Sequence, residues 1–179
     1  MRIYIDPAHT PHSPGAVYGG RKEYDDIFLF SRELEKSLSD SDTAAEMITC
    51  RKDYKRINEK DVLLIFHRGT SYKNAPKRGA GVTVKADSSC SIQYEAYRLL
   101  EAVTKASGLK YRGVHTAGKD FLYPSALSSP AERTFLFELG FIEDERDNML
   151  FDSSLIKTAR QLGNKLCEIY KEEKNEDSP

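Results

Sequence analysis

The chain has 179 residues, 31% of them charged, and cations and anions balance to a formal net charge of -1. That balance gives no sign of the overall basic character a nucleic-acid binder needs, and the length is that of one domain able to bury a core unaided. Cys50, Cys90 and Cys167 are far apart and form no CxxC pair. Neither a disulfide framework nor a cysteine zinc ribbon is therefore expected, and the thiols read as reduced and mostly buried.

Ile3 to Ile5 predict a short first strand that stops at Asp6-Pro7, where proline removes a backbone donor. It begins within two residues of Met1, with no apolar signal core and no membrane-length run, so the chain as written reads as synthesised in the cytoplasm without a signal peptide. A loop rich in proline and glycine fills Thr10 to Gly20. Glu23 to Leu38 then predict a helix, with Tyr24, Ile27, Phe28, Leu34 and Leu38 near one face. Met47 to Cys50 suit a second strand, and Val62 to Phe66, wholly apolar, a central third. Gly79 to Lys85 alternate through Val82 and Val84, which predicts a half-exposed strand toward an edge. Ile92 to Ala106 make a second amphipathic helix, stopped by Gly108. Phe121 to Tyr123 suit a short strand and Thr134 to Leu139 the last central one. A final helix is expected from near Ser153, burying Leu155, Ile156, Ala159, Leu162, Leu166 and Ile169. Residues 1–170 thus read as one domain, and 171–179 as a charged, disordered tail with nothing to bury.

Four chemically capable residues stand at the margins of these elements: His9 after IYIDPA, Glu23 at the opening of the first helix, His67 closing VLLIFH and Glu138 closing TFLFE. Ligands of open α/β sheets gather outside the carboxyl ends of strands, so a shared site is geometrically reasonable. Two neutral imidazoles and a carboxylate suit zinc, and three protein ligands leave a fourth tetrahedral position for water. Taken singly, His9 and His67 are more simply read as satisfied polar residues. Glu23 alone is a first-turn helix charge worth under about 1 kcal/mol if exposed. Glu138 differs, because a carboxylate after four apolar residues in a central strand is costly to bury unpaired.

Beyond these residues the sequence resembles the type 3 N-acetylmuramoyl-L-alanine amidases, which include bacterial cell-wall hydrolases and phage endolysins. The likeness runs from IYIDPAHTPHSPGAVYGGRKE through ITCRKD, LLIFHRG and RGV to FLFELGFIEDERDN. It implies an α/β fold, a single domain with a mixed, mostly parallel sheet of about six strands flanked by helices. It also implies one zinc ion per chain, held by His9, Glu23 and His67, with Glu138 as the catalytic carboxylate. Ala8 and Thr10 depart from the glycines that usually flank the first histidine, Ser13 from a common aspartate, and Arg68-Gly69 from a small residue and asparagine after the second histidine.

The reading that follows is a peptidoglycan hydrolase cleaving the amide between the muramic acid lactyl group and L-alanine of the stem peptide by zinc-activated water. A zinc peptidase or deacetylase on another amide is the alternative, as is a catalytically silent wall-binding module of the same fold. Arg68, Arg112 and His115 are candidate substrate contacts, and Arg68, Lys73, Lys77 and Arg78 form a local basic cluster able to attract stem-peptide carboxylates. His12 reads as a solvent-exposed loop residue outside the site. The expected partners are muramic acid and its peptide, with no nucleic acid, membrane insertion or protein partner. The expected place of action is the bacterial wall, reached as a released phage endolysin or as a secreted autolysin.

Overall fold

The computed structural model describes residues 1–41, 43–48, 51–71, 77–118 and 127–176, with backbone alone over 51–53 and 171–176. Along the chain lie β1 (Ile3–Asp6), β2 (Val17–Tyr18), β3 (Arg21–Lys22), α1 (Glu23–Ser39), β4 (Ala45–Met47), a 3-10 helix (Arg51–Arg56) and β5 (Val62–Gly69). They are followed by β6 (Ala80–Val84), α2 (Cys90–Ser107), β7 (Tyr111–Thr116), β8 (Arg133–Phe141) and α3 (Glu145–Glu176).

Six strands form one sheet in the order β4-β1-β5-β8-β6-β7, and β2 with β3 makes a separate small ribbon. Every pair in the main sheet is parallel except β6 with β8. That single reversal brings the amino ends of β6 and β7 to the same sheet edge as the carboxyl ends of β1, β5 and β8. The mixed six-stranded architecture expected from the sequence is the one observed.

The pleat sorts the side chains of β5. Val62, Leu64 and Phe66 join α1, α2 and α3 in the larger core, while Leu63 and Ile65 pack on the other side with Tyr54, Ile57, Leu127 and Ala131. Phe66 stacks on Phe137 of β8 with ring centroids 5.5 Å apart and meets Phe30 of α1 edge-on at 5.0 Å. All three helices thus cover one face. His67 and Glu138 follow Phe66 and Phe137 and fall on the opposite face.

Asp61 secures the far end of this frame. Its carboxylate accepts from the backbone N–H groups of Arg2 at 2.8 Å and Asn58 at 2.9 Å, tying the start of β1 to the turn before β5. Ser89 caps α2 through the Ile92 N–H, and Gly108 ends it in the left-handed region at φ 74°.

Several expectations are corrected. β6 lies inside the sheet, because β7, not anticipated from its half-exposed and glycine-interrupted sequence, pairs outside it. β4 covers Ala45–Met47, earlier than expected. Helix α3 starts at Glu145, where the Asp144 carboxylate caps it by accepting the Asp147 N–H at 2.9 Å. It also continues to Glu176, so 171–176 are helical where disorder was expected. Lysine and glutamate are good helix formers, and adding a residue to an existing helix needs no new nucleus. Of the two cysteines among the described residues, Cys167 is buried and Cys90 is exposed. Phe121–Tyr123, Lys73 and Cys50 lie outside the described residues.

Candidate active site

At the end of β1 the chain must turn sharply to aim His9 back across the sheet. The Asp6 carboxylate accepts the Ala8 N–H at 2.7 Å, and the His9 N–H donates to Pro7 O at 2.7 Å. Asp6 itself is held from below by the Tyr54 hydroxyl. The turn leaves Ala8 at φ 59°, a left-handed conformation that costs an L-residue energy and that glycine adopts freely. This is the residue that stands where the family resemblance implies glycine.

Glu23, the first residue of α1, is 3% exposed and sits between the two histidines. Its Oε1 lies 2.8 Å from His67 Nδ1 and 3.1 Å from His9 Nε2, and the Arg68 N–H donates to it at 3.0 Å. Its Oε2 accepts the Ala16 N–H at 2.9 Å. Burial pushes the Glu23 pKa up, but His67, His9 and the Ala16 N–H outweigh it and hold the carboxyl well below the usual range. One ligand atom from each of His9, Glu23 and His67 lies within 4.8 Å of the others.

Gly15 closes the pocket from the loop side at φ 74°. A Cβ there would lie 2.5 Å from Glu23 Oε2 and 2.6 Å from His9 Nε2. The absence of a side chain at position 15 therefore keeps the space beside the Glu23 carboxylate and the His9 ring clear.

Glu138 is the direct neighbour of His67 across the β5–β8 pair and of Gly81 across β8–β6. Both His67 and Glu138 lie within their strands and not beyond the strand ends, as the sequence suggested. The Glu138 side chain is 29% exposed, and its Oε2 accepts from Arg112 Nη1 at 2.6 Å. Arg112 comes from β7, one strand farther out. It reaches Glu138 across Gly81, where even a Cβ would stand 3.6 Å from the Arg112 Cβ, and its guanidinium also lies 4.8 Å from the Phe141 ring centroid. The special environment expected for Glu138 is this ion pair.

The other substrate candidates separate. Arg68 is only 1% exposed and does not border a groove. The pleat turns it to the helix side, where it donates to Asp26 at 2.5 Å and Asn148 at 2.6 Å and lies 4.4 Å from the Phe151 ring centroid. Its expected substrate contact is corrected on that ground: it joins α1, α3 and β5 as a structural cation. His115 is exposed on β7 opposite Thr83, and His12 is exposed in the loop. The sequence signalled neither Gly15 as a cradle nor Gly81 as the saddle for Arg112.

This arrangement can be set beside known proteins. The sequence matches the family model for N-acetylmuramoyl-L-alanine amidases over residues 3–166. The chain belongs to that family. It is thereby a hydrolase of the amide bond between muramic acid and L-alanine in peptidoglycan. Its fold is shared with the N-acetylmuramoyl-L-alanine amidase AmiC2 of Nostoc punctiforme, at TM-score 0.78 and 19% identity over 96% of this chain and 97% of that one. It is shared with the CwlD amidase of Clostridioides difficile, solved in complex with the GerS lipoprotein, at TM-score 0.75 and 16% identity over 93% of this chain and 96% of that one. The catalytic domain of the CD27L endolysin targeting Clostridia Difficile aligns at TM-score 0.75 and 19% identity over 94% of this chain and 97% of that one. Among curated proteins no sequence matches. No helix among the described residues of the amidase is long and apolar enough to cross a membrane.

Proposed function

We propose that His9, Glu23 and His67 hold one zinc ion and that Glu138 is the catalytic carboxylate for hydrolysis of the muramoyl–L-alanine amide. The observation that carries this reading is the convergence of three ligand atoms within 4.8 Å beside Glu138, the strand neighbour of His67. The donor set fits the ion: two imidazoles and one carboxylate suit zinc and leave a fourth position open. The clear space under Gly15 supports the same fit. Bound there, zinc supplies positive charge that polarises the scissile carbonyl and acidifies water.

The chain's own residues supply the rest. The β5 strand and the Arg68 N–H hold His67 and Glu23 in register. Arg112 engages Glu138 through Oε2 alone among the described residues, which fixes the side chain and leaves Oε1 to accept the proton of the attacking water. Glu138 then passes that proton to the departing nitrogen of L-alanine. The substrate partner is the peptidoglycan stem peptide with its muramic acid, and the place of action is the bacterial wall, as a released endolysin or a secreted autolysin.

Metal analysis together with digestion of purified peptidoglycan tests this. About one zinc per chain is expected, with activity lost to a chelator and restored by zinc. Digestion should expose new L-alanine amino groups without new reducing sugar ends. Full zinc retention in a His9→Ala, His67→Ala double variant would overturn the ligand set. Release of D-alanine or of acetate would instead support a peptidase or a deacetylase.

A further inference from the structure

The sheet edge that carries Glu138 also carries a cleft of about 760 Å³ that runs from Arg112 of β7 back to the ends of α2 and α3 at Gly108 and Leu150. Five cations line it: Lys77, Arg78, Lys110, Arg112 and Arg146. In a chain of formal net charge -1 this is a marked local excess. Little in the protein neutralises it. Arg78 approaches Asp144 at 3.5 Å and Arg112 is engaged by Glu138, but among the described residues no ion pair joins Lys77, Lys110 or Arg146. Asp147, the one anion in the lining, is buried and accepts the Gly79 N–H at 2.6 Å and the Phe141 N–H at 2.9 Å. Lys77, Arg78, Lys110 and Arg146 are all exposed.

The position of the cleft gives it a direction relative to the reaction. The proposed ligand set lies on the β1–β5 side of Glu138, and the cleft lies on the other side, past Gly81, with Arg112 forming its wall. Glu138 delivers its proton to the departing nitrogen, so the chain attached to that nitrogen leaves on the Glu138 side. That chain is the peptide, which carries free α- and terminal carboxylates, whereas the N-acetylated sugar on the acyl side is uncharged. Strands are spaced about 4.8 Å apart, so β7 lies about 10 Å from β8, the span of about three extended residues.

We infer that the Lys77, Arg78, Lys110, Arg112 and Arg146 cleft is a subsite for the carboxylates of the stem peptide beyond L-alanine. This rests on the amidase reading of Glu138 and adds to it a preference for anionic peptides over their amidated forms. The four exposed cations act by attraction and orientation, and the contribution of each is screened by salt. Lys110 and Arg146 take no part in the ligand set or in holding Glu138, so changing them leaves the reacting groups intact.

The test compares zinc-loaded wild-type enzyme with a Lys110→Glu, Arg146→Glu variant on two soluble muramoyl peptides. One keeps its carboxylates, and in the other those beyond L-alanine are primary amides. Wild type should favour the carboxylate substrate by about tenfold in kcat/KM at low salt, and less at high salt. The variant should lose that preference while cleaving the amidated substrate at nearly the wild-type rate. Equal wild-type rates on both substrates, or a preference unchanged in the variant, would overturn the subsite and leave the amidase reading standing. Calorimetric binding of the free peptide and of its amide separates the two ideas if neither substrate is cleaved. Carboxylate-dependent binding abolished in the variant supports the cleft even then, and its absence in wild type refutes it. Binding of polyglycerol phosphate with none of the peptide would assign the cleft to a phosphate polymer and refute it also.

Discussion

Arg68 and His67 are consecutive residues of β5, yet they belong to different worlds. On the helix side, Arg68 is enclosed by Asp26, Asn148 and the Phe151 ring, and Asp26 is shared with Arg21 at 2.7 Å. On the open side, His67 faces Glu23 and neighbours Glu138, whose own cation, Arg112, is half-buried and reaches in from the sheet margin. One residue of pleat separates a buried network that holds α1 and α3 to the sheet from the opposite face, where His67 is equally buried but Glu138 beside it is 29% exposed. The lesson is that a cation beside a candidate ligand histidine in sequence need not share its face of the sheet, while one 26 residues away from Glu138 in sequence is bonded to it.

The comparison breaks most clearly if activity and stability fail to separate. Glu138→Gln removes proton acceptance on the open face, so turnover should fall by a factor on the order of 100 to 10,000. Zinc content and melting temperature should stay close to wild type; near-normal hydrolysis with zinc bound would remove Glu138 from the mechanism. Arg68→Ala should do the reverse. It strips one partner from a buried ion pair, at a cost of about 3 kcal/mol because Arg21 still faces Asp26. For a domain of this size that is a melting-point drop of roughly 6–12 °C. Calorimetry showing no drop would mean that the helix-side network is not structural.

Smaller effects sharpen the contrast between frame and site. Asp61 is far from the chemistry, and although burial pushes its carboxyl up, the N–H groups of Asn58 and Arg2 hold it below the usual range. A depressed folded pKa contributes stability above the unfolded value of about 3.9, and that stability is lost as pH falls through the folded value. Asp61→Asn should therefore cost about 1–2 kcal/mol near neutrality. The gap from wild type should close in denaturation curves taken below about pH 4. A gap that stays constant with pH would show that the charge is irrelevant. The smallest effect is expected at the turn before His9, where Ala8→Gly relieves the positive φ and should stabilise the fold by up to about 1 kcal/mol. A loss of stability there would mean that the Ala8 methyl packs more favourably than its backbone conformation costs.

The frame of the molecule was largely legible in one dimension, because helix and strand periods are local. Glu23–Ser39 and Cys90–Ser107 match the predicted helices, and the apolar runs at Ile3, Val62 and Thr134 became β1, β5 and β8. β7 was not legible, since Tyr111–Thr116 is half-exposed and broken by Gly113, and a margin strand owes its existence to the partner it pairs with. The start of α3 was hidden for a similar reason: its first turn is polar and its cap, Asp144, is indistinguishable in sequence from neighbouring acids.

The same division holds for the site. Residue type, order along the chain and the family resemblance marked His9, Glu23, His67 and Glu138 as candidates, because metal ligands and a proton carrier are drawn from very few side chains; the convergence of the first three is seen only in the fold. Which cations accompany them was decided only in three dimensions. Arg68, Lys77 and Arg78 look like one patch in sequence, but the pleat buries Arg68 on the helix side. The reversal of β6 carries Lys77 and Arg78 to an edge where Lys110, Arg112 and Arg146 meet them. Strand direction and register are properties of pairing between distant segments, and no local pattern in the chain encodes them alone.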